Sequence, residues 1–234
     1  MVSPHSEEPV PRKRGKGRPA VIDREKILEA ARRLPADALT MQAVANELGV
    51  DPTALNYHVG GRSGLLRMAA VDRMRAAIDE GALADVEGDW KDVLRAFAVI
   101  TRNAVASMGS LGGHLDWGTA GLVPFLEIIE IAIGALKDAG FDTATAGRAI
   151  GVVAHNAVIA GRARSEGLKE SPEQVERFFA QVAERAGETM PNIADLIGLM
   201  MSNRGEGGRE RENDEQFDFS LDVTIAGLEA LLGR

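Results

Sequence analysis

The sequence predicts an all-α chain: a small N-terminal head built around a helix-turn-helix, followed by a larger helical body. Three observations carry this. Apolar residues recur at three- and four-residue intervals over most of the 234 positions. Residues that start and stop helices stand at the ends of those runs. No stretch alternates apolar and polar residues as a half-buried strand would.

Residues 1–21 have no apolar face to bury. They carry Arg12, Lys13, Arg14, Lys16 and Arg18 among glycines and prolines, and they are expected to form a disordered basic arm. A first helix follows Asp23 with Ile27, Leu28, Ala31 and Leu34 on one face, and Pro35 closes it. A second helix starts behind Thr40, runs from Met41 to Leu48 with Val44, Ala45 and Leu48 inside, and ends at Gly49. The third has Asp51 as cap and Pro52 in the first position, and continues from Thr53 to His58. Neither short helix can bury a face alone. They must cross each other, with Val50 and Leu55 turned towards Val44 and Leu48, which is a helix-turn-helix.

The head is therefore assigned to residues 22–67 and the body to 68–234. Gly60 and Gly61 separate the third helix from a fourth, expected from Arg62 to about Ala84, which ties the two together. Further helices are expected near 89–107, 122–139, 143–166, 172–187 and 217–232. Two linkers interrupt them: a glycine-loosened apolar stretch at 109–121, and a flexible loop at 202–215 with eight charged positions.

The net charge of −8 conceals an asymmetry. Residues 12–67 hold eleven Lys/Arg against six Asp/Glu, a net of +5, so the remaining positions carry −13. A basic head on an acidic body suits a DNA reader, with one face to meet phosphate and another that DNA repels; a solvated basic tail is the alternative. No run of roughly eighteen apolar residues is present, so no membrane partner is expected. The N-terminus has no apolar leader core, and without cysteine there are no disulfides or thiolate metal sites, so the chain is expected in the cytoplasm. The four histidines, at 5, 58, 114 and 155, lack ligand spacing, and His114 near Asp116 is a weak signal. No glycine fingerprint for phosphate appears. No enzyme, cofactor or metal site is expected.

In a helix-turn-helix the second helix of the pair enters the major groove. This makes Thr53, Asn56, Tyr57 and His58 the candidate DNA contacts, next to the helix start at Thr40. Asn56 has the amide that pairs with adenine, and Tyr57 and His58 reach phosphate or thymine methyl groups. Arg62 opens a helix, where a cation opposes the macrodipole, and a bound phosphate gives its placement a reason. Arg14, Lys16 and Arg18 in the arm can follow the phosphate backbone or enter a minor groove; a purely solubilising tail is the alternative.

The stretch Thr40-Met41-Gln42-Ala43-Val44-Ala45, with Leu48-Gly49-Val50, Ala54-Leu55, His58-Val59 and Leu65-Leu66, resembles the DNA-binding head of the TetR family of transcriptional regulators. The match covers roughly residues 18–70, and the ending from Phe217 to Leu232 also looks like the family's last helix. The resemblance implies a dimeric, Ω-shaped helical protein that binds a palindromic double-stranded operator. It also implies release of DNA when a small molecule enters the C-terminal domain. Members commonly place tyrosine directly after the leucine of the recognition helix; here Asn56 holds that place and Tyr57 follows. Arg62 stands where the family usually has a phosphate-binding lysine.

In the body, Phe97, Met108, Trp117, Phe125, Ile129 and Phe178 are candidates for the pocket of an unidentified, mainly apolar effector, with ordinary core packing as the alternative. His155 and Asn156 interrupt an apolar helix, where they line that pocket, sit at a subunit interface or face solvent. The resemblance implies that helices 143–166 and 217–232 build an intersubunit four-helix bundle. The residues assigned to this homodimer interface are Val152, Ile159, Leu221, Ile225, Leu228 and Leu232. An architectural DNA-binding protein without a ligand is the competing function.

Overall fold

The computed structural model describes residues 22–78, 80–115, 123–165, 172–202 and 208–232. Among these residues every regular element is helical: α1 (Arg24–Arg32), α2 (Met41–Leu48), α3 (Pro52–Val59), α4 (Gly61–Ala76), α5 (Glu80–Ala84), α6 (Trp90–Ser107), α7 (Leu126–Asp138), α8 (Thr143–Ser165), α9 (Pro172–Ala186), α10 (Pro191–Ser202) and α11 (Gly208–Leu232).

Local chemistry accounts for the start of each head helix. The Asp23 carboxylate accepts the Lys26 N–H at 2.9 Å, the Thr40 hydroxyl oxygen accepts that of Ala43 at 3.1 Å, and Asp51 accepts that of Thr53 at 2.7 Å. Gly49 (φ 65°) turns the chain from α2 into α3, and Gly60 (φ 69°) turns it from α3 into α4. Ile27, Ala31, Val44, Ala45, Leu55 and Leu65 close the head's core. Arg32 then clamps α1 to α4 through a two-pronged contact with Asp72, at 2.8 and 2.6 Å. The Arg73 guanidinium donates to the Leu34 carbonyl at 2.7 Å.

Gly64 decides how closely α3 and α4 meet. A Cβ there would lie 1.7 Å from the Val59 carbonyl oxygen, so no other residue fits without moving one helix. The same device recurs in the body: a Cβ on Gly161 of α8 would lie 2.6 Å from the Arg102 carbonyl oxygen of α6. These two helices form the centre of the body, with α7 and α11 packed around them.

The boundary drawn at residue 67 lies within the fourth helix expected from the sequence, and α4 is continuous across it. Three expectations change. The fourth helix stops at Ala76, where the Ala77 and Ile78 N–H groups bond the Met74 and Arg75 carbonyls; the chain turns, and α5 buries Leu83. The glycine-rich linker is partly ordered, because Gly109–His114 forms a 3-10 turn that buries Leu111. The charged loop is a correction too: residues 208–215 are the first turns of α11. Glu and Arg favour helix, and Asp214 in that stretch pairs with Arg102 at 3.2 Å and Arg164 at 3.6 Å. Beyond these three, α10 has no counterpart in the sequence reading.

Candidate DNA interface and effector body

Burial of Leu55 and Val59 inside the head rolls the opposite face of α3 outwards. Thr53, Asn56, Tyr57 and His58 all lie on that exposed face, Tyr57 at 88% exposure with its ring edge-on to His58. A large aromatic ring left in water at a helix surface lacks the burial that would stabilise it. Thr40 is exposed but already occupied as the cap of α2. The Thr53 hydroxyl and then its backbone N–H hold the Asp51 carboxyl below its ordinary value of 3.8. This cap fixes the N-terminal turn that carries the outward set.

The start of α4 lies beside it. Its N-cap is Gly60, which has no side chain to accept the free N–H groups. Arg62, one residue into the helix, has no hydrogen-bonding or ionic partner among the described residues. Free amides, the positive end of a sixteen-residue helix and an unpaired guanidinium therefore converge on one point, an arrangement that attracts an anion. The arm residues Arg14, Lys16 and Arg18 lie outside the described residues.

The body separates the candidate pocket residues. Phe97 and Met108 of α6 and Phe125 before α7 are buried, and Ile129 of α7 is half-buried against the same core. Phe178 does not join them: it is 59% exposed on α9, beside Val182, Met190 and Ile193 in an open groove. Trp117 lies outside the described residues. His155 and Asn156 stand on the far side of α8, His155 exposed and Asn156 in a shallow groove with Asn213, Gln216 and Ser220 of α11. They are not part of the Phe97 interior.

Thr101 was missed. It lies on the stripe Phe97, Thr101, Ala104 of α6, continued by its C-cap Met108, is 2% exposed, and its hydroxyl has no hydrogen-bond partner among the described residues. A buried polar atom in an apolar stripe was the available signal.

The interface assignment needs the largest correction. Leu221, Ile225 and Leu228 are buried in the subunit's own core, where α11 lies along α8, so they are not available to a second copy. The helix has a second apolar stripe, Phe219 and Val223, which is exposed instead, Phe219 at 64%. Val152 and Ile159 are exposed on α8, and Leu232 is exposed at the end of α11. Four-residue spacing generates both stripes; the one with Phe217, Leu221, Ile225 and Leu228 carries the larger apolar area and turns inwards, flanked by exposed ion pairs from α6 to α11, Arg95–Asp222 at 2.7 Å and Lys91–Glu229.

Residues 84–232, more than half of the chain, match the family described as tetracyclin repressor-like, C-terminal domain. The chain belongs to the TetR family. It is 24% identical over 214 residues to the tetracycline repressor protein class C of Escherichia coli, covering 90% of this chain and 92% of that one. It is 26% identical over 220 residues to the class D repressor of the same organism, covering 91% and 92%. Apo ActR from Streptomyces coelicolor has the same fold, with a TM-score of 0.65 at 20% identity, covering 92% of this chain and 98% of that one. TetR from Acinetobacter baumannii AYE gives 0.58 at 23% identity, covering 90% and 98%. As a TetR-family member the protein is a DNA-binding transcriptional regulator with a helix-turn-helix, and not an enzyme. Among the described residues no helix is long and apolar enough to cross a membrane, and no cluster of metal-ligating side chains occurs.

Proposed function

We propose that this TetR-family protein is a cytoplasmic homodimeric repressor that binds a palindromic operator and releases it when a small, mainly apolar molecule enters the body. Residues 22–67 read the operator, residues 1–21 supply a basic arm through Arg14, Lys16 and Arg18, and residues 68–234 sense and dimerise. The observation that carries the reading is the pairing of an exposed polar α3 face with the open, cationic start of α4. One supplies base contacts, the other a phosphate anchor.

A two-fold dimer presents two α3 helices to two half-sites, which is why the operator is palindromic. Exposed Val152, Ile159, Phe219 and Val223 supply the apolar surface for that dimer. The effector enters beside Phe97, Met108, Phe125 and Ile129, and the unpartnered Thr101 hydroxyl gives it one polar contact. Solved relatives support a small-molecule effector: ActR occurs in complex with actinorhodin, and a variant of the Acinetobacter protein in complex with minocycline.

The test separates the two DNA contacts. Asn56→Ala is expected to lose operator affinity by about 1–3 kcal/mol while binding random duplex as before, since an amide reads a base edge. Arg62→Ala is expected to weaken both duplexes by similar factors. Binding titrations against operator, single-base variants and random DNA decide this. Unchanged affinity in both variants would remove α3 and α4 from the interface.

A further inference from the structure

A second groove lies between the head and the body, away from the Phe97 interior. Its volume is about 400 Å³, within the roughly 300–1,000 Å³ of small-molecule sites. Four cationic or titratable side chains rim it: Arg24 from the start of α1, His58 from the last turn of α3, and Arg67 and Arg75 from α4. Its floor is apolar, made of Val59, Met68, Val71 and Pro124. Among the described residues no carboxylate lines it.

The arginines are distinguished by what they lack. Neighbouring arginines of the same helices are engaged: Arg32 with Asp72 and Glu25, Arg33 with Glu47, and Arg73 with the Leu34 carbonyl. Arg24, Arg67 and Arg75 have no ion pair or hydrogen bond among the described residues. The acidic body carries ample carboxylates, yet none of those described is placed to neutralise this rim. Arg67, Val71 and Arg75 recur every four residues, so α4 presents guanidinium and aliphatic groups along one line. Gly64, packed against the Val59 carbonyl, also lines the groove.

We propose that this groove is a binding site for an anionic amphiphile, a carboxylate carried on a hydrocarbon body. The guanidinium rim takes the carboxylate through charge-assisted hydrogen bonds, and the Val59–Met68–Val71–Pro124 floor takes the hydrocarbon. A nucleic-acid backbone matches only the rim: sugar-phosphate has no apolar body to set on that floor, and Val123 and Pro124 belong to the body rather than to the DNA-facing head. His58 lies in both the groove and the exposed α3 face, so an occupant touches the last turn of the recognition helix. Binding stands independently of the operator reading; its effect on DNA affinity rests on that reading.

Met68 and Met108 make the test site-resolved, because the first lines the groove and the second is buried with the Phe97 stripe. In full-length protein carrying ¹³C-methyl methionine, titration with decanoate is expected to shift the Met68 resonance and leave Met108 in place. Decyltrimethylammonium, with the same tail and opposite charge, is expected to shift neither. The double variant Arg67→Gln, Arg75→Gln alters only exposed side chains and is expected to weaken decanoate about tenfold or more, for loss of charge-assisted hydrogen bonds. Arg67→Lys with Arg75→Lys should recover part of the affinity. A decanoate shift at Met108 alone, or decanoate affinity unchanged in the double glutamine variant, overturns the proposal. So does an equal Met68 shift from inorganic phosphate or from a random DNA duplex, which would make the groove a site for phosphate charge alone.

Discussion

The head and the body expose opposite kinds of side chain. Tyr57 is the one large hydrophobic residue described as exposed in the head, whereas Val152, Ile159, Leu196, Leu199, Phe219 and Val223 are all exposed in the body. The head keeps its apolar groups inside and offers hydroxyls, an amide, a phenol and cations to its surroundings. The body offers aliphatic and aromatic surface. Chemistry that meets a hydrated polyanion needs the first arrangement, and association with protein or an apolar molecule needs the second.

Substitutions on the two stripes of α11 test this contrast most severely. Ile225→Asp puts an uncompensated carboxylate in the core and is expected to cost about 3–5 kcal/mol, seen as a collapse of the denaturation midpoint. Val223→Asp, two positions earlier, is expected to leave subunit folding intact and convert dimer to monomer in sedimentation. Equal stability losses in both would erase the distinction between the stripes.

Leu55→Ala addresses the head in the same way. Its side chain is fully buried, so truncation is expected to cost about 2–5 kcal/mol and abolish DNA binding. The body should still sediment as a dimer. If dimerisation fails as well, the two regions do not fold separately.

Thr101→Val has a smaller effect of opposite sign. Replacing an unpartnered buried hydroxyl by a methyl group of similar shape is expected to stabilise the body by about 1 kcal/mol, read from the thermal midpoint. A loss of stability would mean that the hydroxyl has a partner, such as a bound water.

The smallest effect is that of pH on the helix starts. Hydrogen bonds hold the Asp23, Asp51 and Asp142 carboxyls below their ordinary value of 3.8. Because the folded values are depressed, the stability these caps contribute is fully present above that value and is lost as pH falls through the folded ones. Acid titration should therefore soften Asp51→Asn less than the parent; identical acid midpoints would show that the cap has no part in it.

What was legible in the sequence follows the same divide. Caps and turn glycines are local signals, so Asp23, Thr40, Gly49, Asp51 and Gly60 located the head helices closely. The exposed face of α3 followed, because the positions of Leu55 and Val59 settle which side is left over. In the body the deciding information is not local. Which apolar stripe of α11 turns inwards depends on the surface that α8 lays against it, and the charged run at 208–215 reads as solvated until Arg102 and Arg164 appear beside Asp214. The omission of α10 has a different cause. Pro191 in the first position, with Ile193, Ile197 and Met200 at helical spacing, was available in the sequence.

The bare α-carbon at Gly64 also makes α4 a lever on the proposed reading. With the Val59 carbonyl packed against it, the end of α3 lies so close to α4 that it is expected to follow when α4 tilts. Sixteen residues of helix make an arm about 24 Å long. Swinging such an arm by about 5° at its body end carries α3 sideways by about 2 Å, well beyond the tolerance of a base-edge hydrogen bond. On the proposed reading, a small adjustment near Ser107, whose hydroxyl donates to the Arg73 carbonyl on α4 at 3.3 Å, is expected to reach the exposed face of α3 magnified.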